Sequence, residues 1–434
     1  MNFKVVILLL ISVLCNFNKI ASNNLDLNFP QFAGSNFYVT VFQGQRNDTI
    51  RSGILPANGK ITVDIPPLYS ANKGICVICI KNINIETVLQ NEDYSVNCTD
   101  SVITINNISF EKSHENDTLY HFLKKQNELY SRIEAHFSAR RVAAGNQLLM
   151  YSLNNEYPAL EKAYSDLQNE LRESPTYAGF YLRLSNFLRG MGSKIYSSAE
   201  QKTLFAEELK NYVTQEVDIL NLYTSGRWNY IISLTFNMFP NEKDFGENWV
   251  KILQRTENNV AFERLGNDLM MICEQFGWDE AREIMIDYIE KSQRISNPAG
   301  YIRVALLLNK TKPGTKAPKI SGVKSLANTI LIFYESGCDH CNEQLDLLTA
   351  KYDQLQQQGI QVISLSTDTD EKVFKYHSAK YPWEIKLCDY KGFKGENFLK
   401  YGVFGTPTLY YIGENEIITD RKAKLDQITE LKLE

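Results

Sequence analysis

Thr329-Ile330-Leu331-Ile332-Phe333-Tyr334, followed after two residues by Gly337-Cys338-Asp339-His340-Cys341, is the stretch from which the fold of this chain is read. The first six residues form a short β-rich run of β-branched, leucine and aromatic residues, the composition of a fully buried strand. Beyond the cysteines, Leu345, Leu348, Tyr352 and Leu355 recur at spacings of three and four, which predicts one face of a helix. A Cys-x-x-Cys at such a junction puts Cys338 at the helix N-terminus. Free main-chain N–H groups and the positive end of the macrodipole favour a thiolate there. Cys341 lies one turn on, within reach to form a disulfide and to break it again. The pattern points to thiol–disulfide exchange.

The chain has 434 residues, enough for two to four domains. Its 44% hydrophobic and 22% charged content is ordinary for a globular protein. A formal charge of −5 with no clustered Lys/Arg stripe argues against a nucleic-acid partner. At the N-terminus, Lys4 followed by the apolar run Val5 to Leu14 reads as a signal peptide over residues 1–22, with a cleavage site near Ala21 and Ser22. A lipid anchor on Cys15 is the rival reading, disfavoured because Leu14 is bulky just before it. The expected destination is therefore periplasmic or secreted. Such compartments permit disulfides, and seven cysteines remain after Cys15, so at least one is unpaired.

Residues 23–109 read as a small β-sandwich. Phe37 to Val41, Ile61 to Ile65 and Val102 to Ile105 are predicted strands, and Ala57-Asn58-Gly59-Lys60 suits a tight hairpin turn. Cys76 and Cys79 fall inside a strand run from Gly74 to Ile80, where side chains three apart face opposite sides and cannot readily pair. Both read as buried structural thiols, and a bridge from one of them to Cys98 stays open. Residues 110–308 switch to a helical period. The stripes are Tyr164, Leu167, Leu171; Phe180, Leu184, Phe187, Met191; Val260, Leu265, Leu269, Ile272, Phe276; and Ala281, Met285, Ile289. Pro158, Gly190, Pro240 and Pro298 are expected between these helices or at their ends. Trp228, Trp249, Trp278 and Cys273 read as core. The polar, Pro- and Gly-broken segment 309–317 is a linker or the start of the next domain's first strand. After Cys341 a strand (Gln361 to Ser366), a helix (Asp370 to Lys380), a strand (Ile385 to Cys388), a hairpin (Thr408 to Ile412 and Glu416 to Thr419) and a last helix with Leu425, Ile428 and Leu431 are expected. The whole is a multidomain chain: β-sandwich, all-α middle, and an α/β domain over 318–434.

The region from about Pro318 to Glu434 resembles the thioredoxin-like superfamily, in its TlpA-like periplasmic thiol–disulfide oxidoreductase branch. The resemblance rests on Phe333 ahead of Cys338-Asp339-His340-Cys341, on Val362-Ile363-Ser364-Leu365-Ser366-Thr367-Asp368 as second strand, and on Gly405-Thr406-Pro407-Thr408 as the cis-proline loop. The parts ahead of it resemble uncharacterised modules of Bacteroidetes-type proteins, with Phe110-Glu111-Lys112-Ser113-His114-Glu115-Asn116 closing the β module. The resemblance implies that cis-Pro407 lies against the disulfide and that the main chain of Thr406 holds an extended substrate segment. Cys338 then attacks a partner's disulfide and Cys341 resolves the mixed disulfide. His340 stands where oxidising relatives also carry histidine, a position that favours a Cys338 thiolate, while Asp339 opposes it. Two departures stand out. Ile332 occupies the place of a buried aspartate, leaving Glu335 or Glu343 as candidates for proton transfer. Gly337 occupies the place of a shielding tryptophan, which implies an open face around the thiols.

The expected partners are disulfide-bearing proteins and an upstream dithiol donor, of the membrane-embedded kind that members of this branch often use. No cofactor or metal is implied. A peroxiredoxin site needs Thr or Ser three before its cysteine, where Glu335 stands, and a copper chaperone needs different cysteine spacing. The competing class is a binding or assembly protein whose Cys338–Cys341 bridge is static. Asp48-Thr49-Ile50, Asp100-Ser101-Val102 and Asp117-Thr118-Leu119 resemble an O-glycosylation acceptor pattern.

Overall fold

Alternation of apolar and polar residues sets the front of the chain, which begins in β1 (Asn23–Asn28), where Leu25 and Leu27 are buried and Asp26 between them is exposed. The computed structural model describes residues 23–195, 199–428 and 431. The expected signal peptide and Cys15 lie outside them, as do residues 429–430 and 432–434. Contacts divide the chain into two compact units, Met1–Pro240 with Lys251–Phe262, and Asn241–Val250 with Glu263–Glu434.

In the first unit β1 is followed by β2 (Asn36–Gln43), β3 (Arg46–Ile54), β4 (Lys60–Ile65), a one-turn α1 (Pro67–Ser70), β5 (Gly74–Ile80), β6 (Ile83–Leu89), β7 (Tyr94–Asn97) and β8 (Ser109–Glu111). They form two four-stranded sheets, β4-β1-β7-β8 and β3-β2-β5-β6. Leu25, Val63 and Val96 from one sheet and Val39, Ile78 and Val88 from the other belong to a single buried cluster. The tight β5–β6 hairpin turns through Lys81 and Asn82, both at positive φ (49° and 67°).

Two expectations fail in this region. Asn58-Gly59 makes a tight turn, Gly59 N–H donating to Pro56 O over 2.8 Å, but the turn links β3 to β4, which belong to different sheets. It is a crossover, not a hairpin. Val102 to Ile105 is no strand either. Asn107 folds the segment into a turn, its Oδ1 accepting from Thr104 N–H (2.8 Å) and its Nδ2 donating to Val102 O (2.6 Å). Side-chain amides outcompete strand pairing there.

The buried cluster continues into α2 (His114–Val142), α3 (Gln147–Glu173) and α4 (Tyr177–Leu188) through Leu119, Tyr164, Leu167 and Leu182. The stretch around Ser113 shows why its sequence is distinctive. Ser113 caps α2 by accepting from Asn116 N–H. Asn116, fully buried, exchanges hydrogen bonds with both the N–H and the C=O of Val88 on β6 (2.7 and 2.9 Å). Glu115 accepts from the N–H groups of Tyr177 and Ala178 at the start of α4 (3.2 and 3.1 Å) and from Lys73 Nζ. Three polar groups within four residues thus bind a sheet and two helices together. Pro158 lies inside α3, not at an end. It sits on the exposed side while Leu153, Leu160 and Tyr164 are buried, so packing carries the helix through it.

The chain continues through α5 (Ala199–Asn211), a π turn (Tyr212–Glu216), α6 (Ile219–Tyr223), α7 (Trp228–Met238), α8 (Glu242–Gln254), α9 (Asn259–Phe276), α10 (Asp279–Ser292) and α11 (Gly300–Lys310). Helices α8 and α9 supply residues to both units. Trp228, Trp249 and Cys273 are buried as expected, while Trp278 is half-buried with its ring on Phe245. The buried face of α9 is Ala261, Phe262, Leu265, Leu269 and Cys273, so the expected stripe is right in its middle and wrong at Val260 and Phe276, which are exposed.

The second unit holds β9 (Thr329–Tyr334), α12 (Asp339–Ala350), α13 (Tyr352–Gln357), β10 (Gln361–Ser366), α14 (Glu371–Ser378), β11 (Ile385–Cys388), α15 (Glu396–Lys400), β12 (Thr408–Ile412) and β13 (Ile418–Lys422). The sheet order is β11-β10-β9-β12-β13. Strands β9, β10 and β11 are parallel, β12 and β13 antiparallel. Every β9 residue is buried: Ile330, Ile332 and Tyr334 pack with Leu345 and Leu348 of α12, and Leu331 and Phe333 with Phe398 and Tyr401 on the opposite face. Segment 314–317 hydrogen-bonds along the hairpin (Gly314 N to Ile418 O, Ile418 N to Thr315 O, Ala317 N to Glu416 O). That contact, with Glu416 at φ 59°, delays the last strand to Ile418, two residues later than expected. In place of the expected final helix, the described residues show a single 3-10 turn at Leu425–Gln427.

Candidate active site

Cys338 sits where the sheet hands over to a helix. Strand β9 ends at Tyr334, Glu335 to Gly337 turn the chain, and Cys338 is the N-cap of α12. Cys338 N–H donates to Glu335 O (3.3 Å), and Cys338 O accepts from Asn342 N–H (2.9 Å), the first bond of the helix. Gly337 adopts φ +86° with open space around it, so glycine is needed for the backbone angle rather than for room. Cys338 is half-exposed and Cys341 fully buried.

Burial pushes the Cys341 thiol up to about 11. A hydrogen bond from the main chain of Glu335 counters that, the adjoining Cys338 thiol raises it again, and the Thr406 side chain lowers it. One sulfur therefore responds both to its Cys-x-x-Cys partner and to the residue before Pro407. The Thr406–Pro407 peptide is cis, and Thr408 Oγ1 braces the loop on Gly405 O (2.8 Å). Cys338, Cys341, Thr406 and Pro407 are thus gathered at one end of the sheet. The other named candidates stand on the rim. His340 is exposed, with Nδ1 3.7 Å from Glu343 Oε2, and Glu335 and Glu343 are exposed as well. Glu335 reaches Cys341 through its main chain. Ile332, in the place of a buried acid, is fully buried in the same apolar cluster as Cys341.

Sequence reading assigned no role to the group that holds this turn. Asp368, just past β10, is buried and accepts through Oδ2 from Ser336 Oγ and Ser366 Oγ, both at 2.6 Å. Ser336 is two residues before Cys338, so a buried carboxylate anchors the turn that presents the thiol. The Asp368 carbonyl accepts from Cys388 Sγ–H (3.1 Å), which assigns that half-buried thiol a structural bond. A signal existed in Ser364 and Ser366, two hydroxyls at buried positions of an otherwise apolar strand. Such groups need partners: Ser364 Oγ accepts from Trp383 Nε1 (2.9 Å) and Ser366 binds Asp368. The Tyr334 and Tyr381 hydroxyls are buried close by without a formed hydrogen bond.

The remaining cysteines are far simpler. All seven described cysteines are free. Cys76 faces the core, and Cys79 lies opposite Tyr38 of β2. The Cys98 thiol points at Asp100 O, Val102 O and Asn107 Oδ1, so the bridge left open to Cys76 or Cys79 is not formed.

Residues 313–421 match the AhpC/TSA family profile. The C-terminal part of the chain is a thioredoxin-like domain of that family. No curated protein matches the sequence. Among solved structures, the chain is similar to a thioredoxin-like protein from Bacteroides caccae (19% identity, 52% of this chain and 91% of that one, TM-score 0.34). It is similar to a putative thiol:disulfide interchange protein DsbE from Chlorobium tepidum (24%, 26% and 85%, TM-score 0.23). The thioredoxin domain of a thiol–disulfide oxidoreductase from Bacteroides vulgatus gives 20% identity over 26% and 91%, with TM-score 0.24. The thioredoxin-like domain thus follows a stranded front and a helical middle, the order expected from the sequence.

Proposed function

We propose that the chain is an exported thiol–disulfide oxidoreductase that exchanges the Cys338/Cys341 dithiol with disulfides of partner proteins, as a reductant or isomerase-like exchanger. One observation carries the reading: a half-exposed thiol at a helix N-terminus adjoins a buried second thiol that also meets the residue before a cis proline. Cys338, as thiolate, attacks one sulfur of a partner disulfide. The partner's S–S bond breaks, its other sulfur leaves as a thiolate, and a mixed disulfide forms. Cys341 then gives up its proton and attacks Cys338 Sγ, so that the partner's second sulfur leaves and Cys338–Cys341 becomes the disulfide. The two electrons gained by the partner came from the two thiols, and a dithiol donor must restore them.

The order of attack follows from access. Cys338 meets a folded partner at the surface, whereas Cys341 reaches only a sulfur already bound to Cys338. The half-exposed Thr406 and Pro407 are suited to hold an extended partner segment beside the thiol. Among the described residues no helix is long and apolar enough to cross a membrane. Export rests on the sequence of residues 1–22.

Trapping tests the reading. Cys341→Ala expressed in its native compartment should accumulate mixed disulfides that Cys338→Ala/Cys341→Ala does not. If no partner-linked species forms, and the wild-type bridge resists a dithiol pool, the motif is a static staple.

A further inference from the structure

Helices α2 and α3 form a long hairpin, 29 and 27 residues, or about 43 and 40 Å at 1.5 Å per residue. Its base is anchored through Leu119, Leu129, Leu160 and Tyr164 in the buried cluster. Toward the far end the contacts run between its two arms: His136 stacks on Tyr157 (5.5 Å), Phe137 meets the same ring edge-on, and Arg140 Nη1 donates to Asn154 Oδ1 (2.6 Å). At the turn Ala143 is buried, yet Val142 is 89% exposed, Leu148 83% and Tyr151 68%, with Leu149 at 44%. Large apolar side chains displayed this openly at one tip are a marked surface.

Charge narrows the occupant. Residues 135–155 contain no Asp or Glu and two arginines, Arg140 and Arg141, in a chain with 51 acidic residues. A second copy docked tip to tip would bring these arginines together. On α3, positions 148, 149 and 151 spread over nearly half the helix circumference at 100° per residue, and Val142 adds the opposite arm. Such a spread fits a fluid medium that closes around the tip better than a groove that grips one stripe. Apolar tips with an interfacial tyrosine and flanking arginines match the boundary between acyl chains and anionic headgroups.

We propose that the tip of this hairpin, Arg140 to Tyr151, docks on an anionic lipid bilayer. The contact is peripheral: a few side chains enter the interface and the arginines meet phosphate. Binding is therefore weak, reversible and salt-sensitive. It would hold the chain at a membrane surface without a spanning helix.

The experiment uses the full chain carrying Tyr151→Trp, with emission read against the parent chain. Vesicles are phosphatidylcholine alone or phosphatidylcholine with phosphatidylglycerol. The expected result is a blue shift with the mixed vesicles at low salt, quenching by brominated acyl chains, and loss of both in 0.5 M salt. Arg141→Gln in the Tyr151→Trp background should weaken vesicle affinity roughly fivefold, and Leu148→Asp should abolish the shift while leaving far-UV helicity unchanged. The probe reports the tip alone, so binding through another part of the chain leaves it silent. No shift at low salt overturns the proposal. So does an equal shift on uncharged vesicles, or protection of the tip only when a second protein is present.

Discussion

Cys341 should be a slow, pH-gated thiol, and its reactivity tests the arrangement directly. Its proton is held to about 11 against an ordinary 9.0, chiefly by burial. At pH 7 about one Cys341 in 10,000 is then ionised, compared with about one in 100 for an unperturbed thiol. Ionisation alone makes alkylation about a hundredfold slower, and burial slows it further. The assay is iodoacetamide labelling of reduced, native Cys338→Ala, with the Cys341 peptide quantified by mass spectrometry against the denatured chain. That variant also removes the two smaller Cys338 contributions that raise Cys341, while burial, the largest cause, persists. The rate should climb about tenfold per pH unit to beyond pH 10. Labelling at pH 7 as fast as in the denatured chain would refute the reasoning, as would a plateau below pH 9. The same shift has a stability consequence. Because the folded state holds this proton more tightly than the unfolded chain, the stabilisation is complete below pH 9 and is lost as pH rises through 11. Two units correspond to at most roughly 3 kcal/mol.

Thr406→Val removes a side chain that lowers Cys341, so release of a captured thiol should slow by about tenfold or more, read as the second phase of thionitrobenzoate release from an aromatic disulfide while the first phase is unchanged. Ser336→Ala deletes a 2.6 Å bond to the buried Asp368 carboxylate; a loss of about 1.5–3 kcal/mol in denaturant titration is expected. Gly337→Ala meets no atom but must adopt φ +86°, a cost of about 1–2 kcal/mol; a lowered melting temperature with Cys338 still readily alkylated is the expected pair of results.

The C-terminal sheet was legible because its signals are local. A β-rich, largely apolar β9, a hydroxyl-dotted β10 and a Cys-x-x-Cys between strand and helix each carry their own pattern, and their order allows few topologies. The elements misread were those decided by side-chain hydrogen bonds and packing that strand and helix periods do not show. Val102 to Ile105 has strand composition, but Asn107 takes its hydrogen-bonding groups. Pro158 carries the usual mark of a helix end, yet buried contacts on both sides of it hold α3 together. The last strand begins late because segment 314–317 uses Glu416 to Ile418. The site divides in the same way. Cys338, Cys341 and Pro407 were visible as motif, whereas Asp368 gains its meaning only when folding brings Ser336, thirty-two positions earlier, onto its carboxylate.

The exchange of an acid for Ile332 bears on how the second thiol works. Cys341 must lose a proton before it can displace a captured partner, and Ile332 adds apolar burial behind it instead of a carboxylate to receive that proton. What lowers the cost of the anion is neutral: the main chain of Glu335 and the side chain of Thr406. Both donors belong to segments that also shape the outer surface, the turn before Cys338 and the loop before Pro407. A partner segment paired with that loop would fix Thr406 in place while Cys338 is occupied. Resolution would then depend on how well the partner fits, because the hydroxyl that steadies the Cys341 anion sits in the loop the partner holds. On the proposed function, a well-seated partner would be released by attack, and a poorly seated one would linger as a mixed disulfide.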